Sequence, residues 1–166
     1  MMLFPRHIEE DIKTLTISSS AFADYGFIPC KYTSDGDNVN PPLSIKNIPK
    51  NAKTMVIIME DPDAPIRTWV HWLVWNVRLT NLIKENFSPI FGMFGNNDFR
   101  KMQYIGPCHP AGIHHYHFKI YALDDLLNLP LGASKMDVEK AMSGHIIAFG
   151  ELVGLYKNNI LESFKK

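Results

Sequence analysis

Apolar residues in this chain fall in short runs that alternate or continue for six to eight positions, and prolines and glycines cut them before a long helix could form. Thr54 to Met59 is one unbroken β-prone run, set between Pro49 and Asp61-Pro62, and reads as a central strand buried on both faces. Val70 to Val77 has the strand period of two. It places His71, Leu73 and Trp75 on one face, with Val70, Trp72, Val74 and Asn76 on the other. His115 to Leu123 is a third long strand, with His114, Tyr116 and Phe118 on one side and His115, His117 and Lys119 on the opposite side.

Between these runs the signals change. Ser34 to Pro42, with Asp35-Gly36 and Pro41-Pro42, must be a loop. Arg78 to Ile105 is a long excursion whose Phe87, Phe91, Phe94 and Phe99 predict packing against the β structure. A single helix is expected near the C-terminus. Ser134 caps it, Asp137 sits in its first turn, Val138, Ala141 and Met142 follow at helical spacing, and Gly144 ends it. Ile146 to Tyr156 is then extended. The pattern predicts a mainly β fold in one domain, with no internal repeat.

Composition narrows the function classes. At 166 residues and 46% hydrophobic, the chain can bury a sizeable core. Lys plus Arg and Asp plus Glu both number 17, so no global field draws the protein to nucleic acid or to an anionic membrane, which leaves only a local patch able to do so. Met1 to Ile12 mixes charges with Phe4 and Ile8 and lacks the apolar core of a secretory signal. No run reaches the ~18 apolar residues of a membrane span. Integral membrane association is therefore not expected. With Cys30 and Cys108 as the only cysteines, a cytoplasmic protein is expected.

Three segments carry candidate chemistry. Asp61-Pro62-Asp63-Ala64-Pro65 holds two carboxylates in a proline-restricted exit from the first long strand, an arrangement that equally suits a plain turn. His71 sits alone among apolar neighbours, where a histidine is more often a core residue than a ligand. Gly106-Pro107-Cys108 opens a Gly/Pro-rich loop that feeds His114 and Tyr116, and such a loop can turn amides toward an anion. If Asp61 or Asp63 sustains the charge on His71 or His114, the imidazolium donates a charge-assisted hydrogen bond to a phosphate oxygen.

Asp61 to Pro65, His71-Trp72 and the Gly106-Pro107 loop ending in His114-x-Tyr116 occur in the order of the ligand-site signature of the phosphatidylethanolamine-binding proteins, or Raf kinase inhibitor-like proteins. The chain resembles the bacterial and archaeal branch of that family. Agreement runs through Tyr32-Thr33-x-Asp35-Gly36-x-Asn38-x-x-Pro41-Pro42-Leu43, Asn97-Asp98-Phe99, Gly144-His145-Ile146 and Glu151 to Tyr156, so it spans about Ser20 to Tyr156. The resemblance implies two packed antiparallel sheets with Greek-key connections. It also implies a pocket for small anionic or phosphorylated ligands, formed by Asp61, Asp63, His71, Gly106, Pro107, Cys108, His114 and Tyr116. A cis Ala64-Pro65 bond, a kinase or protease target reached through surface loops, and a homodimer are further implications. Three positions depart from the pattern: His115 for the usual arginine, His109 for a frequent proline, and Ile45 for a common aromatic. Loss of the arginine puts its ion pair in question. His109 predicts a looser, more polar rim, and Ile45 is read as a core change.

Other chemistries are weaker. His114 and His115 lie on opposite strand faces, so only His115 and His117 could chelate together, and no metal site is expected. An enzyme would use Cys108 as nucleophile with His71 or His114 as base, but a free cysteine is more often a buried small hydrophobe. The sequence therefore predicts a binding protein without a cofactor rather than a catalyst.

Overall fold

A computed structural model describes residues 12–88 and 91–158, so the reading of the N-terminal segment as lacking a secretory signal falls almost wholly outside the described residues. Three long strands form the centre: β5 (Thr54–Asp61), β6 (Trp69–Val77) and β9 (Ile113–Leu123). They join β10 (Ile146–Lys157), β8 (Met93–Phe94), β1 (Lys13–Thr14) and β3 (Gly26–Phe27) in a seven-stranded sheet of order β1-β10-β9-β5-β6-β8, with β3 also on β10. The order β9-β5-β6-β8 is a Greek key, because β9 returns to lie beside β5 after the β5-β6-β8 meander. Pairing is antiparallel except where the short β1 and β3 add to β10 in parallel. A second, antiparallel sheet contains β2 (Thr16–Ser18), β4 (Leu43–Lys46) and β7 (Leu82–Ile83), in the order β2-β4-β7.

The unbroken apolar run of β5 has a simple cause. Every residue of this strand is buried, because the large sheet is covered on both faces. Met55, Ile57 and Met59 meet Ile17, Leu43, Ile45 and Ile83 of the small sheet. Val56 and Ile58 meet the opposite layer, where α1 (Lys135–Met142) contributes Val138 and Met142. Ile45 is fully sunk in the first cluster, in keeping with a core role.

The helix and the last strand occur where the pattern predicts them. Ser134 Oγ accepts from the Asp137 amide while the Asp137 carboxylate accepts from the Ser134 amide, and Gly144 takes a φ of 83° beyond the last turn. Ser134→Ala is expected to lower stability by about 1 kcal/mol. Urea denaturation measures this, and no change in the midpoint would show that packing alone holds α1.

Two features differ from expectation. The Ala64-Pro65 bond is trans, since there are no cis peptide bonds among the described residues. Pro65 is exposed, so no packing opposes the intrinsic trans preference of about 0.5–1 kcal/mol. In β6 the register slips twice, between Met55/Ile57 and between Met59/Glu60, so one face does not keep the even residues throughout. At the first slip Asn76, with φ 51°, turns to exchange hydrogen bonds with the Leu127 backbone, and Val77 joins Val74 in the core between the sheets. The excursion from Arg78 packs as expected: Phe87 lies 6.4 Å from both Trp72 and Phe94, ring centre to ring centre.

Candidate functional site

The second slip in β6 builds the site. Met59 pairs with Trp72 and Glu60 with Val70, which leaves His71 as the extra residue. Val70 is thereby carried to the side of Leu73 and Trp75, and the His71 ring turns to meet Tyr116 edge-on at 5.3 Å. The uninterrupted period of two had placed His71 with Leu73 and Trp75; the bulge re-aims it.

His71 is 3% exposed, and its Nδ1 donates to the Ile105 carbonyl at 2.7 Å. Burial pulls its pKa below the usual histidine value, against the opposing pull of the Ile105 carbonyl and the Asp61 carboxylate. The expectation of a carboxylate-held imidazolium therefore does not extend to His71. The carboxylate contact is made by His114, whose Nδ1 lies 2.6 Å from Asp61 Oδ2. Asp61 Oδ1 accepts from the Asp63 amide at 2.8 Å, so both oxygens of this buried carboxylate are committed within the protein. Tyr116 stacks beside His114 with ring centres 6.4 Å apart, and burial raises its pKa far enough to keep the phenol a donor at any physiological pH.

Asp61, His71, Cys108, His114 and Tyr116 line one cavity of about 490 Å³. The two imidazoles from separate strands thus share a space with the acid that leaves β5. Three residues singled out from the sequence are not on its wall. Asp63 stands outside, where Oδ2 accepts from the His115 amide and faces His115 Nδ1, both at 2.8 Å. These bonds and the coulombic pull of the histidines hold its carboxyl below the usual range despite a desolvation penalty, and His115 supplies the contact that the missing arginine put in question. Gly106 donates its amide to Asn38 Oδ1 at 2.8 Å and has none left to offer an anion. Pro107 has no N–H, and its carbonyl accepts from the Ser34 amide at 3.0 Å. Both residues shape the loop that brings Cys108 to the cavity.

Ile66, Arg67 and Trp69 also line the cavity although nothing in the sequence singled them out, as does Phe99, read from the sequence only as a packing and motif residue. Asn97 places Phe99 by accepting the amides of Phe99 and Lys101 on its side-chain oxygen. Phe99 then meets Trp69 at 5.7 Å and His71 at 5.3 Å. Arg67 lies 5.0 Å over the Trp69 ring and donates to Asp98 Oδ1 at 3.0 Å, while Asp98 Oδ2 accepts from the Val70 amide. The Asn97-Asp98-Phe99 motif was the available signal, but only the fold reveals that it fastens a loop to the bulged end of β6.

Other candidate chemistry is distributed differently. Cys108 is exposed, contrary to the buried-hydrophobe reading, because its loop runs along the cavity lip. His109 is latched, not loose: its Nδ1 accepts from Asn158 Nδ2 at 3.1 Å and lies 3.5 Å from Asp35 Oδ1. His115 and His117 each face their own carboxylate, Asp63 and Glu151. Among the described residues no group of three His, Cys, Asp or Glu side chains is placed to hold a metal ion, and no helix is long and apolar enough to cross a membrane.

This arrangement of sheets and cavity has close counterparts. The family model described as phosphatidylethanolamine-binding protein matches residues 18–157. A UPF0098 protein of Pyrococcus abyssi is 52% identical over 148 residues, which cover 84% of this chain and 83% of the relative. The crystal structure of a phosphatidylethanolamine-binding protein homologue from Chlamydia trachomatis superimposes with a TM-score of 0.83 at 38% identity, covering 88% of this chain and 99% of the other. YbcL of Escherichia coli, at 23% identity and a TM-score of 0.79, shares the fold across 86% of this chain and 98% of its own. A model match over nearly all of the described chain, together with relatives this similar over most of their length, means that the protein belongs to the phosphatidylethanolamine-binding protein family.

Proposed function

We propose that this chain is a non-enzymatic binding protein whose cavity takes a phosphate-bearing head group or a similar small anion. The observation that carries this reading is the state of the two imidazoles. Each Nδ1 is committed, His71 to the Ile105 carbonyl and His114 to Asp61, so Nε2 is the basic nitrogen left on each ring that lines the cavity. A neutral Nε2 offers a lone pair and repels an anion, whereas protonation converts it into a charge-assisted donor. Beside these rings the Tyr116 phenol supplies a donor that does not titrate in the working range.

Anion binding then takes up a proton. In the free protein burial holds the His71 pKa below the ordinary histidine value, which favours the neutral ring. A bound anion stabilises the protonated ring and raises that pKa. Affinity is therefore expected to increase as pH falls through the pKa of the complex, and to level off below that of the free protein. Calorimetric titration of phosphoethanolamine between about pH 8 and pH 6, in buffers of different ionisation enthalpy, measures both affinity and proton uptake. Sulfate, whose charge is constant over that range, separates protein titration from ligand titration. Affinity for sulfate that is flat with pH, with no proton uptake, would remove the histidines from the binding role.

The enzymatic alternative rests on the exposure of Cys108 at the same cavity. Activating its thiol needs a base directed at the sulfur. Among the described residues no hydrogen bond joins the Cys108 sulfur to the ring nitrogen left on His71 or His114, which favours binding over nucleophilic chemistry.

A further inference from the structure

We propose that a second cavity, separate from the anion cavity, binds a small uncharged cyclic amide. Its volume of about 270 Å³ is near the lower end of the range for ligand pockets and leaves room for one ring-sized molecule. Trp72, the residue after His71, lines it, and the two cavities have no wall residue in common. The proposal therefore stands independently of the phosphate reading. Chemically the two walls differ as well. No residue that lines the second cavity carries a charge, and Glu85, next to Asn86 in the chain, is engaged by Lys31 Nζ at 2.9 Å and by the Tyr32 hydroxyl at 2.6 Å.

Four of its wall residues are carboxamides: Asn38, Asn40, Asn86 and Gln103. Asn40 is buried and devotes its side chain to the protein. Its Oδ1 accepts from the Phe87 amide at 2.7 Å, and its Nδ2 donates to the Pro41 and Lys84 carbonyls, both at 3.0 Å. Its own carbonyl accepts from the Asn86 amide at 3.2 Å. These bonds hold residues 84–87 and fix Asn86 at a φ of 54°, a backbone state that asparagine tolerates better than most residues. Asn38, at a φ of 58°, accepts the Gly106 amide on Oδ1, which leaves its Nδ2 without a partner among the described residues. The side chains of Asn86 and Gln103 make no hydrogen bond there either. A fixed frame thus carries uncommitted amide donors and acceptors.

The remainder of the wall is mostly aromatic. Tyr104 meets Trp72 at 5.5 Å, and Phe87 stacks with Phe94. A cyclic amide suits both kinds of surface. Its N–H and C=O lie side by side on one edge and pair with a carboxamide at two points, as Asn and Gln pair with adenine, while its flat ring packs on the aromatic groups. A sugar fits less well, because hydroxyls surround its whole rim and those turned toward the rings lose their hydrogen bonds to water. An anion finds no cation among the wall residues.

The test is a titration of the intact, isotopically labelled chain with cyclic diglycine, a diketopiperazine that is uncharged at any working pH, followed by backbone amide NMR shifts. Saturable binding in the millimolar range is expected, with the largest shifts at residues 38–40, 86–87 and 102–104, and added phosphoethanolamine should not displace the ring. Asn86→Gly removes a carboxamide yet suits the left-handed backbone, and Gln103→Ala alters an exposed side chain, so both variants should melt like the wild type. Each is expected to weaken binding by about three- to tenfold. Five results overturn the proposal: no saturation, shifts centred on His71 and His114, displacement by phosphoethanolamine, glucose binding as tightly as the diketopiperazine, or unchanged affinity in both variants. None of them bears on sulfate or phosphoethanolamine affinity at the first cavity, so the two readings fail separately.

Discussion

Asp61→Ala is expected to lower the free energy of unfolding by about 3–4 kcal/mol, the largest single-residue effect at the site. The carboxylate is 4% exposed and takes two hydrogen bonds, from the Asp63 amide and from His114 Nδ1. Alanine leaves both donors without an acceptor, one of them on a histidine that is 9% exposed. A hydrogen bond to a charged group contributes about 1.5–3 kcal/mol, and breaking a buried ionic pair by removing one partner costs about 3–5 kcal/mol, so the two estimates meet. Asp61→Asn separates shape from charge. It keeps an acceptor for the amide but removes the charged acceptor that holds His114 Nδ1 at the cavity, so its cost should fall on anion affinity more than on folding. Urea denaturation and calorimetry read the two effects. A loss below about 1 kcal/mol for Asp61→Ala would mean that the carboxylate is solvated and organises nothing.

Gly106→Ala is expected to cost about 3 kcal/mol or more, although it adds only one methyl group. A Cβ at this position would stand 2.0 Å from the Tyr32 carbonyl oxygen and 2.9 Å from Thr33 Cα, and both obstacles are backbone. Relief requires the loop to move away from residues 32–38. That movement strains the Gly106 amide bond to Asn38, the Ser34 amide bond to Pro107 and the Tyr104 hydroxyl bond to the Tyr32 carbonyl. It also shifts Ile105, whose carbonyl holds His71 Nδ1, so anion affinity should fall together with stability. Gly112→Ala on the same loop provides the contrast: its φ of 76° disfavours a side chain, but nothing lies within 4 Å of the added atom. That change should cost only about 1–2 kcal/mol and leave affinity nearly intact. Equal losses for the two variants would show that close packing at Gly106 is not what places His71.

Much of the site was legible because motif order and strand alternation are local properties. The alternation of His114, Tyr116 and Phe118 on the buried face of β9 holds, since β9 pairs without a shift with β10 from Ile113 to Ala122 and with β5 from His117 to Leu123. The face of His71 was not legible. A bulge is decided by the partner strand, and nothing in Val-His-Trp-Leu marks the extra residue. The destination of each hydrogen bond was likewise out of reach. The sequence left Asp61 and Asp63 interchangeable, while the end of β5 and the turn beyond it direct Asp61 to His114 and Asp63 to His115. The Gly106 amide appeared free for an anion because Asn38, which captures it, is 68 positions away in the chain.

The sequence by itself determined the alternating strands, the buried central run, the capped helix and the cluster of acids, histidines and a tyrosine that the motif order brings together. These follow from side-chain period, proline and glycine placement and residue chemistry, all of which act over a few positions. Only the tertiary structure decided which imidazole has a carboxylate and which is kept neutral by burial, and that Arg67, Trp69 and Phe99 complete the wall. Burial and hydrogen-bond partners are properties of distant segments meeting, so no reading of neighbours along one chain contains them.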